Sequence, residues 1–69
     1  MKLSARNILE GQIKNVRKGA TTAHVEIELK GGQTVTSSIT NEAVEELGLA
    51  KGMQAYAVIK ASDVMVAVK

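Results

Sequence analysis

The sequence predicts an all-β domain with one short helix, and three observations carry that reading. Ala23, Val25, Ile27 and Leu29 alternate with His24, Glu26, Glu28 and Lys30, the period-2 pattern of a half-buried strand. Gly31-Gly32 directly after that run offers the positive φ angles of a tight hairpin. The only helical period is a two-turn stretch between Thr40 and Gly48.

The first strand is expected from about Asn7 to Arg17. Leu9, Gly11 and Ile13 share one face, then the apolar phase slips to Val16, which reads as a bulge or bend with Gly11 permitting close backbone approach. Lys18-Gly19-Ala20 makes the turn into the second strand. The third strand, Gln33 to Ile39, carries Val35 and Ile39 inward. Thr40 or Asn41 can cap the helix that follows, Glu42 sits in a first turn where the helix dipole favours negative charge, and Val44 and Leu47 face one way. Gly48 fits the left-handed position that ends helices. In Gln54 to Lys60, Ala55, Ala57 and Ile59 oppose Tyr56 and Val58, and in Val64 to Lys69, Val64, Val66 and Val68 oppose Met65 and Ala67. The resulting order, β-β-β-α-β-β, is the pattern of an OB-like five-stranded barrel. An SH3-like barrel is the nearest competitor and does not expect a helix at that place.

Residues 1–69 form a single domain. A chain of this size buries roughly 60% of its unfolded surface and needs outside support. Cysteine is absent, which removes disulfides, and His24 is the one histidine, too few for a conventional zinc site. There is no Phe or Trp, so the core must be thin and aliphatic. The last two strands are apolar on both faces, and strands of that kind are covered on both faces. Self-association is the remedy left, with Tyr56 and Met65 as interface packing.

Nine Lys and Arg against seven Asp and Glu give a net charge of +2, too little for a strong nucleic-acid or membrane field. No apolar run approaches the ~20 residues of a transmembrane helix, and Met1-Lys2-Leu3-Ser4-Ala5-Arg6 lacks a signal-peptide core. The expectation is a cytoplasmic protein without membrane or nucleic-acid partners. An OB-type nucleic-acid module wants aromatic platforms and a basic groove, and one Tyr supplies neither. An enzyme is not expected, because His24 is the sole candidate base and nothing in the sequence orients it. Glu42, Glu45 and Glu46 read as a solvated helix face.

Ser4-Ala5-Arg6-Asn7 before the first strand, the turn Lys18-Gly19, Ser38-Ile39-Thr40, the connector Leu47-Gly48-Leu49 to Gly52, and Val58-Ile59-Lys60-Ala61-Ser62 fall in order along the chain. Together they resemble the molybdenum-pterin-binding or molbindin domain, also called the TOBE domain, from Leu3 to Val68. Many relatives place Pro before the connector glycine where this chain has Lys51, a difference in loop stiffness.

The resemblance implies an OB-like fold that binds tetrahedral molybdate or tungstate as oxyanions, with no direct metal ligands and no organic cofactor. It implies homohexamers built as trimers of dimers, with anions between subunits. Carried onto this sequence, the principal site draws on Ser4, Ala5 and Arg6 from one chain and Lys60, Ala61 and Ser62 from another, with Thr40 contributing. A second site draws on backbone amides around Gly19 and Ala20 and on Ser38 and Ile39. Read without the resemblance, Thr40 is a helix cap, Ser4 and Ser62 are turn residues, and Arg6 and Lys60 are solvated charges. Because the chain runs from Met1 to Lys69 with no partner domain, storage or homeostasis of the anion is expected ahead of a sensing role, which relatives fused to transporter ATPases and transcription regulators perform.

The residue types suit the ligand. A tetrahedral oxyanion presents only acceptor oxygens, so a good site offers donors and positive charge. Arg6 brings a fork of five N–H donors, Lys60 a compact ammonium, and Ser4 and Ser62 orientable hydroxyls. Asp63 would repel the anion unless, in an extended segment, it points away from Ser62.

Overall fold

The computed structural model describes residues 1–69, and its spine is β1, Asn7–Lys18. The first half of β1 pairs antiparallel with β4, Gln54–Ile59, and the second half with β2, Thr22–Leu29. β2 in turn pairs with β3, Thr34–Thr40, giving a four-stranded antiparallel sheet in the order β3-β2-β1-β4.

Gly11 and Gln12 belong to both ladders, opposite Leu29 and Glu28 on one side and Ala55 and Gln54 on the other. A strand that changes partners at its middle must coil, and Gly11 permits it. A Cβ there would run into the Glu28 carbonyl oxygen and lie 2.9 Å from Ile27 Cγ2. The apolar phase slip is also real. The register jumps between the Ile13–Ile27 and Asn15–Glu26 pairs, leaving Lys14 as the extra residue of a bulge. The connector ahead of β4 fastens at this point, with Ile13 N–H donating to the Met53 carbonyl and Gly52 N–H to the Ile13 carbonyl, both at 2.8 Å.

The alternation in β2 becomes the core. Ala23, Val25 and Ile27 are buried beside Ile13, Val44 and Ala57, and these six residues are the whole buried apolar cluster. Helix α1, Asn41–Leu47, begins as its residues dictate: Thr40 is the N-cap, its hydroxyl accepting from Ala43 N–H at 3.0 Å. Gly48 closes the helix at φ 64°. Val44 is buried, but Leu47, expected on the same inward face, is 62% exposed. In the β2–β3 turn only Gly32 takes a positive φ.

The expected fifth strand is not there. Val64 to Lys69 has no sheet pairing, so the barrel stays open as a curled half-barrel of four strands. The reason lies at the end of β4. The condition that would have turned Asp63 away, an extended segment after Lys60, is not met: a single 3-10 turn winds over Ala61–Asp63, with Asp63 N–H donating to the Lys60 carbonyl at 2.9 Å. That turn leads the chain off the sheet, and alternation cannot make a strand without a neighbouring edge to bond. Met65, Val66 and Val68 are about nine-tenths exposed. The open side of the sheet forms an apolar trough of about 350 Å³ lined in part by Ile39, Leu49, Met53, Tyr56 and Val58.

Candidate functional site

Two short irregular stretches meet at one corner of the sheet. The β1–β4 ladder ends on the pair Asn7–Ile59, so Arg6 and Lys60, each one residue further out, leave the sheet side by side. The corner is stitched by Asn7 Nδ2, which donates to the Ile59 carbonyl at 3.1 Å. Sequence reasoning drew these stretches from different chains. In the fold, the two stretches of any one chain also leave the sheet at a common corner.

The chemistry of the corner is mostly donor. Ser4, Arg6, Lys60, Ala61 and Ser62 are exposed, and Ala5 is half-buried. Neither cation enters an ion pair, since the two salt bridges are Lys18–Glu45 and Lys30–Glu10, each at 3.3 Å. The backbone N–H groups of Ala5, Arg6, Ala61 and Ser62 make no hydrogen bond within the chain. For Ala61 and Ser62 this follows from the 3-10 turn, whose first amides have no preceding carbonyl to reach. Asp63 stays in the same turn rather than being carried away along an extended strand, so one carboxylate shares the corner.

Thr40 lies elsewhere. It pairs with Thr22 at the end of β3, separated from β4 by the two strands β2 and β1 and near the far end of β1. Its hydroxyl is occupied as the helix cap. Within one chain it does not join Arg6 and Lys60.

The second set gathers at that opposite end. Gly19 and Ala20 form the β1–β2 turn, while Ser38 and Ile39 lie on β3 opposite His24 and Ala23. Gly19 N–H donates to the Thr22 carbonyl at 2.7 Å, whereas Ala20 N–H and Thr21 N–H have no partner in the chain. Sequence reasoning missed Asn41, the residue that holds this turn. Its Nδ2 donates to the Gly19 carbonyl at 2.9 Å and the Ala20 carbonyl at 3.4 Å, and its own N–H to the Thr21 carbonyl at 2.9 Å. The one available signal was an Asn in the first turn of a helix already capped by Thr40, since Asn is a poor helix former that competes for backbone groups. Beside this turn, Arg17 Nη2 lies 3.5 Å from His24 Nδ1. No three His, Cys, Asp or Glu side chains gather in a group that could hold a metal ion directly, and no helix is long and apolar enough to cross a membrane.

The family model described as the TOBE domain matches residues 3–66. The chain is 47% identical over 66 residues to molybdenum-pterin-binding protein 1 of Clostridium pasteurianum, covering 96% of this chain and 97% of that protein. Among solved structures it superposes on MopII from Clostridium pasteurianum with a TM-score of 0.91 and 43% identity, covering 97% of this chain and 100% of that one. It also superposes on the cytoplasmic molybdate-binding protein ModG with molybdate bound, with a TM-score of 0.91 and 54% identity, covering 94% of this chain and 46% of that one.

Proposed function

The chain belongs to the TOBE-domain family, in its molbindin group, and on that premise we propose that it binds molybdate or tungstate in the cytoplasm and stores it between subunits of a homo-oligomer. The observation that carries the reading is the ladder end at Asn7–Ile59, which sets Arg6 beside Lys60 with unpaired backbone amides around them. A tetrahedral dianion has only acceptor oxygens to offer, and that corner supplies a guanidinium, an ammonium, the Ser4 and Ser62 hydroxyls and free N–H groups.

One exposed corner holds a dianion weakly, because water and salt screen its charges within ~8–10 Å. A second copy packed over the corner removes water and raises the effective field. The apolar surface supports such packing. The trough floored by Met53, Tyr56 and Val58 and the exposed tail Val64 to Val68 leave apolar side chains uncovered, and contiguous exposed apolar surface marks interaction sites. Binding is then linked to assembly, and the anion stabilises the oligomer. A hexamer arranged as a trimer of dimers is the assembly proposed, with Thr40 reaching the principal site only from a neighbouring copy. The Gly19–Ala20 turn and Ser38–Ile39 supply a second class of site.

Titration calorimetry with molybdate, tungstate and sulfate, paired with native mass spectrometry, tests the proposal. The expected result is tight binding of the two larger anions over sulfate on an oligomer. A monomer that takes up none of them overturns it.

A further inference from the structure

We propose that Asp63 is the resident counterion of the Arg6–Lys60 corner, a carboxylate that offsets the two cations while the site is empty and opposes the oxyanion when it enters. The inference rests on the proposed oxyanion function and deepens it, since it names the side chain that sets how tightly the anion is held and how readily it leaves.

Asp63 is the one aspartate of the chain, and the fold keeps it at the corner. Its N–H donates to the Lys60 carbonyl at 2.9 Å, which fixes it at the third position after Lys60 in the turn Ala61–Asp63. A 3-10 turn takes three residues and rises about 6 Å, so the backbone of Asp63 stands one turn from that of Lys60. Across the ladder end, Arg6 leaves the sheet beside Lys60. Asp63, Arg6 and Lys60 are all exposed, and none of them enters an ion pair. The Asp63 carboxylate accepts no hydrogen bond within the chain either.

No other carboxylate is placed to do this. Glu10, the nearest to Arg6 in sequence, is held by Lys30 at 3.3 Å and by the Gln54 amide at 2.9 Å. Glu26 and Glu28 lie on β2, with β1 between them and β4, and Glu42, Glu45 and Glu46 lie on α1.

A free carboxylate has two opposite effects at a site built of donors. With no anion bound, Arg6 and Lys60 repel each other, and a second copy packed over them would desolvate two unpaired cations. One negative charge a turn from Lys60 eases both penalties. With the anion bound, the same charge faces a dianion, and neither has a proton to give the other. The result is weaker binding, an assembly that persists empty, and an anion that can leave. Repulsion between one unit charge and a dianion roughly 7 Å away in water corresponds to about a fivefold change in affinity at low ionic strength, and added salt shrinks it.

Calorimetric titration with sodium molybdate and sedimentation velocity of the anion-free protein test this in the wild type, Asp63→Asn and Asp63→Glu. Asp63→Asn keeps the size of the side chain without its charge. It is expected to bind molybdate about fivefold tighter at low salt, with the gap closing as salt rises. Its anion-free oligomer is expected to dissociate at a severalfold higher protein concentration. Asp63→Glu restores the charge and is expected to match the wild type in both measurements. A side chain that merely shapes the turn would not drive the two readouts in opposite directions. In the wild type, the carboxyl ¹³C resonance of the single aspartate is expected to shift on saturation with molybdate, an arm that needs no variant to fold. A silent resonance, an affinity unchanged or lower in Asp63→Asn, or an anion-free oligomer no weaker than the wild type overturns the counterion role and leaves the principal site standing. A wild type that takes up no molybdate overturns the oxyanion function itself.

Discussion

Asn7 donates its side-chain amide to the Ile59 carbonyl at 3.1 Å, so the residue that follows Arg6 grips the residue that precedes Lys60. This bond joins the two stretches proposed to enclose the anion while touching no ligand itself. Asn7→Ala is expected to lower stability by about 1 kcal/mol, the usual worth of such a bond, and to weaken molybdate binding severalfold because the corner loosens. Urea denaturation and calorimetry measure the two effects separately. Unchanged affinity with reduced stability would confine Asn7 to a structural part.

Arg6→Ala and Lys60→Ala are each expected to weaken molybdate binding at least tenfold, or ~1.4 kcal/mol. Both cations are exposed and free of ion pairs in the fold, so neither truncation should disturb the thermal midpoint of the anion-free protein. Raising the salt concentration should weaken wild-type binding and affect the two variants less. Calorimetry across a salt series distinguishes these outcomes.

Thr40→Ala separates two roles for one hydroxyl. Loss of the cap bond to Ala43 N–H is expected to cost about 1 kcal/mol, read from chemical denaturation. Binding at the Arg6–Lys60 corner should change much less than in Arg6→Ala. A tenfold loss of affinity instead would make Thr40 a ligand delivered by a neighbouring copy.

Gly11→Ala is expected to be among the most damaging single-methyl additions available. The new Cβ would press into the Glu28 carbonyl oxygen and the Ile27 side chain, where backbone on both sides is held by the two ladders. Overpacking of this kind costs about 1–3 kcal/mol, a large share of the ~5 kcal/mol at the low end for small domains. Circular-dichroism melting should show a markedly lower midpoint.

The double variant Val66→Asp with Val68→Asp tests the tail. Both side chains are about nine-tenths exposed, so charge there costs the isolated chain almost nothing. If the tail packs on a second copy, sedimentation velocity at micromolar concentration should show a shift from oligomer to monomer. Persistence of the oligomer would place its interface elsewhere.

Local patterns made much of the fold legible. The buried trio Ala23, Val25 and Ile27, the bulge before Val16 and the helix bounded by Thr40 and Gly48 each follow from rules acting within a few residues. What failed needed information from further away. Val64 to Lys69 alternates like a strand, yet a strand exists only beside a partner, and the 3-10 turn at Ala61–Asp63 removes the nearest edge. The motif resemblance singled out the stretches around Arg6 and Lys60, but their adjacency at one ladder end was not readable, because it depends on β4 pairing with the first half of β1. Asn41 was missed for the same reason: its three bonds reach a turn about twenty positions earlier.

The bond from Asn7 to Ile59 spans 52 positions of a 69-residue chain. Contacts closing so large a loop are entropically expensive and tend to form late in folding. A chain in which only the β2–β3 hairpin has formed has no Arg6–Lys60 corner. The Arg6–Lys60 corner therefore exists only once β4 has paired with the first half of β1, and it reports on the most distant pairing in the sheet.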